Sequence, residues 1–195
     1  MNPNIKKMEE KRKISGTLFS AMLFALDAFM GKDGVISILR FANLDSEEFL
    51  DLYNANYPAN KSVPYDHFAR FMNALNNILG HGTDGEIIYH YGKEYLGIKL
   101  IPYISSGFEA LIASLESWLG GSWHILKNSD DNYIIKIKNS PLIYSKGLHS
   151  CTCYMIGGIF SCAMEQLTGE KYVTKEMKCM SKGDESCLFE IKKIK

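Results

Sequence analysis

Charge of one sign is the first thing this sequence lacks. Its 195 residues hold 22 Lys and Arg against 22 Asp and Glu, so no net basic field is available to hold nucleic acid. Long apolar runs are missing as well. The longest, LFSAMLFALDAFM from Leu18 to Met30, falls short of the roughly 20 residues that a membrane-spanning helix needs. It also contains Asp27, so it reads as a buried helix of a soluble protein. The opening residues MNPNIKKMEEKRKIS put charges where a secretory leader needs its apolar centre. Export is not expected, and a cytoplasmic location is. No G-x-G-x-x-G follows a strand pattern, so nothing marks a nicotinamide or flavin site. No Ser-His-Asp arrangement, phosphate loop or convincing carboxylate pair emerges, and there are no tandem repeats or low-complexity linkers. Cysteine is scarce: five in the chain, odd in number, all within the last 45 residues. That distribution suits a reducing compartment and a metal better than a disulfide framework, and without a C-x-x-C a redox dithiol has little support.

What is present is enough chain for one domain with a large core. Residues 1–13 carry five Lys or Arg against two Glu and are expected to form a flexible or partner-docked basic arm. The following segment is helical. Asp45 and Glu48 form a capping box for a short helix, and Pro58 and Pro64 mark a loop. From Tyr65, Phe68, Phe71, Met72, Leu75, Ile78 and Leu79 fall on one helix face, ended by Gly80 and Gly82. A second helix covers GEIIYHYGKEYLGIKL with Ile88, Tyr91, Tyr95 and Ile98 on one side. A third carries Phe108, Leu111, Ile112, Leu115, Trp118 and Leu119 and stops at Gly120-Gly121. After Ser122 the period changes to two. SWHILKN and YIIKIKN make a hairpin with Ile135 and Ile137 on one face and Lys136 and Lys138 on the other. A helix over 152–168 presents Ile156, Ile159, Phe160, Ala163 and Leu167, and KYVTKEMKCM with SCLFEIKKI closes the chain as a second hairpin. The order predicts an α+β fold: N-terminal helices packed on a mainly antiparallel β-sheet, with one C-terminal helix followed by a metal-bearing β-hairpin. Gly157-Gly158 inside a helix costs about 1 kcal/mol per glycine relative to alanine. Close approach of a backbone or ligand would compensate, and a frayed or bent helix start is the alternative.

The candidate site lies in KEMKCMSKGDESCLFEI, residues 175–191. Cys179 and Cys187 flank a Lys-Gly-Asp turn, and Glu176 adds an oxygen from the incoming strand. Zinc takes thiolate, imidazole and carboxylate donors in tetrahedral sets of four. Cys153, at a helix N-terminus that favours a thiolate, is the leading fourth ligand; Cys151 and His149 are close enough to replace it. Residues three apart on a regular strand face opposite sides, so Glu176 and Cys179 meet only if the strand bulges between them. Lys175, Lys178 or Lys182 would offset the negative charge of three thiolates and a carboxylate around a divalent ion. Against this stands a plain core of reduced thiols, which is the reading for Cys162. His67, His81, His90 and His124 are scattered and form no metal pair. Phe68, Phe71, Tyr91, Tyr95, Phe108 and Trp118 are placed as core aromatics, so pocket-lining residues stay unassigned, as do catalytic ones.

The series Cys153, Glu176-x-x-Cys179, Cys187, with Gly183 in the turn, Phe189 beyond it, NSPLIYS upstream and a Gly-Gly helix, resembles the C-terminal signature of the 4-vinyl reductase domain. The resemblance covers about residues 80–192 in texture and 140–192 in motif. It implies a fold similar to transport-particle subunits and haem nitric-oxide-binding domains. It also implies a small-molecule sensor domain, notably for aromatic hydrocarbons, of the kind found ahead of bacterial transcription activators. In those sensors the residues matching Cys153, Glu176, Cys179 and Cys187 bind zinc. No ATPase module or helix-turn-helix fits in this chain, so a separate output protein is expected. Residues 14–195 are thus expected to form one ligand-binding domain holding zinc and a small apolar or aromatic molecule, acting as sensor or carrier and forming a homodimer through an N-terminal helix. A reductase or accessory protein of tetrapyrrole metabolism and a ligand-free assembly subunit are the alternatives.

Overall fold

The computed structural model describes residues 13–44, 61–80, 85–104, 106–129, 131–140, 142–143 and 153–194. The basic arm except Lys13, the Asp45/Glu48 capping box, Pro58, His81, Gly82, His149 and Cys151 lie outside them.

Strand β1 (Lys13–Ser15) and helix α1 (Gly16–Phe41) come first, then β2 (Ser62–Pro64) and α2 (Tyr65–Leu79). β1 and β2 pair antiparallel, with Ile14 opposite Val63. This two-stranded clip ties together the starts of α1 and α2, and no alternation in three-residue strands advertised it. α1 is broken at Gly31 (φ 76°, ψ 168°). That left-handed φ is one a residue with a Cβ avoids, so the helix changes direction there. Before the break, α1 is buried on most of its circumference, with Phe19 set edge-on against Phe71 of α2 at 4.9 Å.

The chain then enters α3 (Glu86–His90), passes through a π-helical turn (Tyr91–Leu96) and leaves by α4 (Gly97–Lys99), with short α5 (Ile101–Ile104) after it. The π turn shifts the phase of the buried stripe. Ile88 and Tyr91 are buried as expected, but Leu96 and Leu100 take the place of Ile98, which is 46% exposed. Similarly, Ile78 of α2 and Leu167 of the last helix stand in solvent at the margins of their stripes. Buried Tyr91 donates its hydroxyl to the Met22 carbonyl of α1 at 2.8 Å, so this polar group enters the core with its partner.

α6 (Phe108–Leu119) leads into β3 (Ser122–Ser129) and β4 (Asn132–Lys138); α7 (Tyr154–Thr168) leads into β5 (Tyr172–Lys178), a 3-10 turn (Met180–Lys182) and β6 (Cys187–Lys193). The four strands form an antiparallel sheet in the order β3-β4-β6-β5. Helices cover one face, as the α+β pattern required. Phe160 of α7 sits between Phe108, Trp123 and Phe189 with ring centroids 5.4–6.3 Å apart.

The two central glycines of α7 differ. A Cβ on Gly158 would collide with the Tyr89 carbonyl and come within 2.6 Å of the Lys93 nitrogen, so its absence permits backbone contact between α7 and the α3–π segment. A Cβ on Gly157 would make only ordinary contacts from 3.5 Å outward. Among the described residues, no helix is long and apolar enough to cross a membrane.

Candidate metal centre

Two structural units bring the four expected donors together. The first is the start of α7, where Cys153 occupies the N-cap position and its carbonyl accepts from the Ile156 and Gly157 amides. The second is the turn between β5 and β6. There the Cys179 carbonyl accepts from the amides of Lys182 and Asp184 (3.0 and 3.3 Å), and the Gly183 amide donates to the Met180 carbonyl. Asp184 closes the turn from the other side, its Oδ2 accepting the Cys179 amide at 2.8 Å. These bonds fix both thiols of the hairpin, each fully buried.

The bulge required by the sequence is present. Glu176 pairs with Phe189 while Lys178 pairs with Leu188, so β5 has an extra residue between them. Met177 is turned out and 51% exposed, and Glu176 and Cys179 reach the same corner as a result.

The ligand atoms of Cys153, Glu176, Cys179 and Cys187 all lie within 4.8 Å of one another. Cys153 Sγ is 3.7 Å from Cys187 Sγ; the Met180 amide donates to Cys187 Sγ at 3.4 Å, and Ser181 Oγ is 2.9 Å from Cys179 Sγ. Both oxygens of Glu176 are buried without a hydrogen-bond partner. Unsatisfied carboxylate oxygens are costly inside a protein, and the groups surrounding this one are themselves acidic.

The electrostatics agree. Burial, followed by the influence of Cys179, pushes the Glu176 carboxyl up to about 9. Hydrogen bonding to Cys179 and Cys187, then burial, holds the Cys153 thiol well above its ordinary value. Cys187 is also raised: its bond to Cys153 works in the opposite direction but is outweighed by Cys179 and burial. Four acidic groups in one buried corner each resist ionisation unless a cation is shared. Three thiols, an orphaned carboxylate and a turn that aims a backbone amide at one sulfur therefore fit a metal ion. Lys175, Lys178 and Lys182 are exposed.

Ser181 and Asp184 are participants the sequence reading passed over. Their signal was the Cys-Met-Ser-Lys-Gly-Asp run, in which short polar side chains flank a glycine with φ 103°. Cys162 is buried in α7 apart from this set, and burial raises its thiol to about 11.

All four donors fall within one stretch that matches a known protein family. Residues 133–193 match the 4-vinyl reductase domain. The matched span runs from β4 through α7 to the end of β6, so it contains the whole donor set and the helix–hairpin unit that builds it. Over 147 residues the chain is 27% identical to an uncharacterized protein of Methanocaldococcus jannaschii, covering 73% of this chain and 76% of that protein. Among solved structures, a vinyl-4-reductase family protein of the same organism is 23% identical with a TM-score of 0.53, covering 86% of this chain and 99% of that one. An H-NOX protein from S. oneidensis in the Fe(II)NO ligation state reaches a TM-score of 0.61 at 12% identity, covering 93% and 100%. Subunit 3 of the trafficking protein particle complex from Naegleria fowleri, covalently bound to palmitic acid, has a TM-score of 0.53 at 15% identity and covers 66% and 93%. These identities establish likeness of fold, and the three structures are the fold relations expected from the sequence resemblance.

Proposed function

We propose that residues 14–195 form a single zinc-containing domain that binds a small apolar or aromatic molecule and acts as a sensor or carrier. The observation that carries this reading is the convergence of Cys153, Glu176, Cys179 and Cys187 within 4.8 Å inside the span that matches the 4-vinyl reductase domain. Two sulfurs each about 2.3 Å from one zinc at the tetrahedral angle stand about 3.8 Å apart, and Cys153 and Cys187 are 3.7 Å apart. Three thiolates and a carboxylate would fill the four positions of zinc, leaving none for a reacting water. The ion then serves stability or ligand-linked conformational change, with Cys153 holding the helix end and Glu176, Cys179 and Cys187 the hairpin. When bound, zinc supplies the positive charge that lets these groups ionise.

The ligand half of the reading is supported by the fold. One structure of this shape is in the Fe(II)NO ligation state and another is covalently bound to palmitic acid. Here the space between helices and sheet is lined by Phe108, Trp123, Phe160 and Phe189, and an apolar or aromatic molecule entering it would gain affinity chiefly from burial. Exposed Phe24 and Phe41 on α1 offer a second copy an apolar surface for a homodimer, and a separate protein would carry the output. The described cysteines are free, in keeping with a cytoplasmic setting.

Native mass spectrometry of protein purified without chelator tests both halves together. A zinc increment and an apolar adduct that solvent extraction removes are the expected result. A bare chain whose melting temperature is unmoved by a panel of aromatic and fatty compounds would contradict the reading.

A further inference from the structure

Strand β5 lies at the edge of its sheet and pairs with β6 on one side. An edge strand presents a row of backbone groups outward. Here alternate amides of that row are taken up by side chains: Tyr172 N–H donates to Glu165 Oε1 at 3.1 Å, and Thr174 N–H donates to the Tyr89 hydroxyl at 3.3 Å. The Tyr89 oxygen is 2.7 Å from Ser161 Oγ, which is 2.8 Å from Thr174 Oγ1. Glu165 Oε1 also accepts from Lys93 Nζ at 2.8 Å.

The contacts form a ladder. Cys153, Gly157, Ser161 and Glu165 are spaced by four along α7, which makes one helix stripe. Tyr172, Thr174 and Glu176 are spaced by two along β5, which makes one strand face. Four helical residues rise about 6.0 Å and two strand residues about 6.6 Å, so the rungs stay nearly in step as the elements run in opposite directions. Glu165 meets Tyr172, Ser161 meets Thr174, and the last rung brings Cys153 to Glu176. Tyr89 and Lys93 reach this ladder from α3 and the π turn.

We propose that the Tyr89–Ser161–Thr174 hydroxyl cluster is a positioning device for the metal centre, pinning the edge strand to α7 two residues before Glu176 and so placing its carboxylate among the three thiols. This rests on the metal reading above. The thiols have supports of their own at the α7 terminus and in the Asp184-closed turn. Glu176 sits on a bulged edge strand with both oxygens lacking a hydrogen-bond partner, so its placement depends on what holds β5. Loss of the cluster therefore acts on the carboxylate and spares the thiolates.

The test loads the full chain with Co(II) and compares wild type with Tyr89→Phe, Thr174→Val and Thr174→Ser. In Tyr89→Phe and Thr174→Val, the thiolate-to-cobalt charge-transfer bands should keep their intensity. The d–d bands should change as the carboxylate leaves the four-coordinate set, and metal affinity should fall about tenfold. Thr174→Ser, which keeps the hydroxyl, should restore both. If Tyr89→Phe does not fold, the Thr174 pair decides alone. Variants that melt earlier but match the wild type in cobalt spectrum and affinity would reduce the cluster to a packing role and overturn the proposal. A wild type without charge-transfer bands would instead remove the metal reading on which it rests.

Discussion

Hairpins β3–β4 and β5–β6 each carry one extra residue. In the first the register shifts between Ile125 and Lys127 and Leu126 points out, 58% exposed; in the second it shifts between Glu176 and Lys178 and Met177 points out, 51% exposed. The backbone device is the same. What differs is what the inward positions hold: Trp123, Ile135 and Ile137 in the first, Glu176, Cys179, Cys187 and Phe189 in the second. In β3 the bulge only maintains an apolar face. In β5 it turns a carboxylate toward three thiols, so chemistry that would be a liability in an ordinary core becomes a donor set.

Removing the donors of the second hairpin should have the largest effect. Cys179→Ser combined with Cys187→Ser should forfeit the stability that metal binding contributes, about 4 kcal/mol when free zinc stands a thousandfold above Kd. Urea unfolding with and without zinc measures it, and equal stabilities in zinc would erase the contrast between hairpins. The pH dependence should reverse with metal. In chelated protein the raised Glu176 carboxyl binds its proton more tightly in the folded state than in the unfolded one. Its contribution is therefore fully present below about 4.5 and lost as pH rises toward about 9. With zinc, binding releases protons, so stability should rise with pH over the same window. A falling profile with zinc present would count against shared ligation.

The corresponding cut in the first hairpin is Ile135→Ala, a fully buried residue opposite Phe189. It should cost about 3 kcal/mol while leaving metal content unchanged, and loss of metal there would show that the hairpins are not separable. Smaller still, Gly158→Ala should cost about 2 kcal/mol through overpacking against the α3–π backbone. Gly157→Ala should stabilise by up to about 1 kcal/mol, as thermal melts of the pair would reveal.

The sequence made the apolar half of this comparison readable, because Ile135 and Ile137 alternate with Lys136 and Lys138, and helix stripes such as Phe108 to Leu119 keep a constant period. The donor set was readable as residue types, and strand alternation even required a bulge before Glu176 and Cys179 could meet. Ile98 was misplaced because one π turn rephases the α3–α4 stripe, which no local preference announces. The β1–β2 clip joins residues about fifty apart through strands too short to alternate. Asp184 and Ser181 acquire their roles only when the turn folds back on Cys179, and the α7–β5 ladder exists only after helix and edge strand lie side by side.

Elemental analysis of untagged wild-type protein purified without chelator, beside the Cys179→Ser/Cys187→Ser variant, bears most directly on the metal centre. About one zinc per chain in the wild type and none in the variant is the expected outcome. Metal-free wild type that stays metal-free when zinc is supplied would leave β5–β6 as a hairpin with buried thiols and contradict the account.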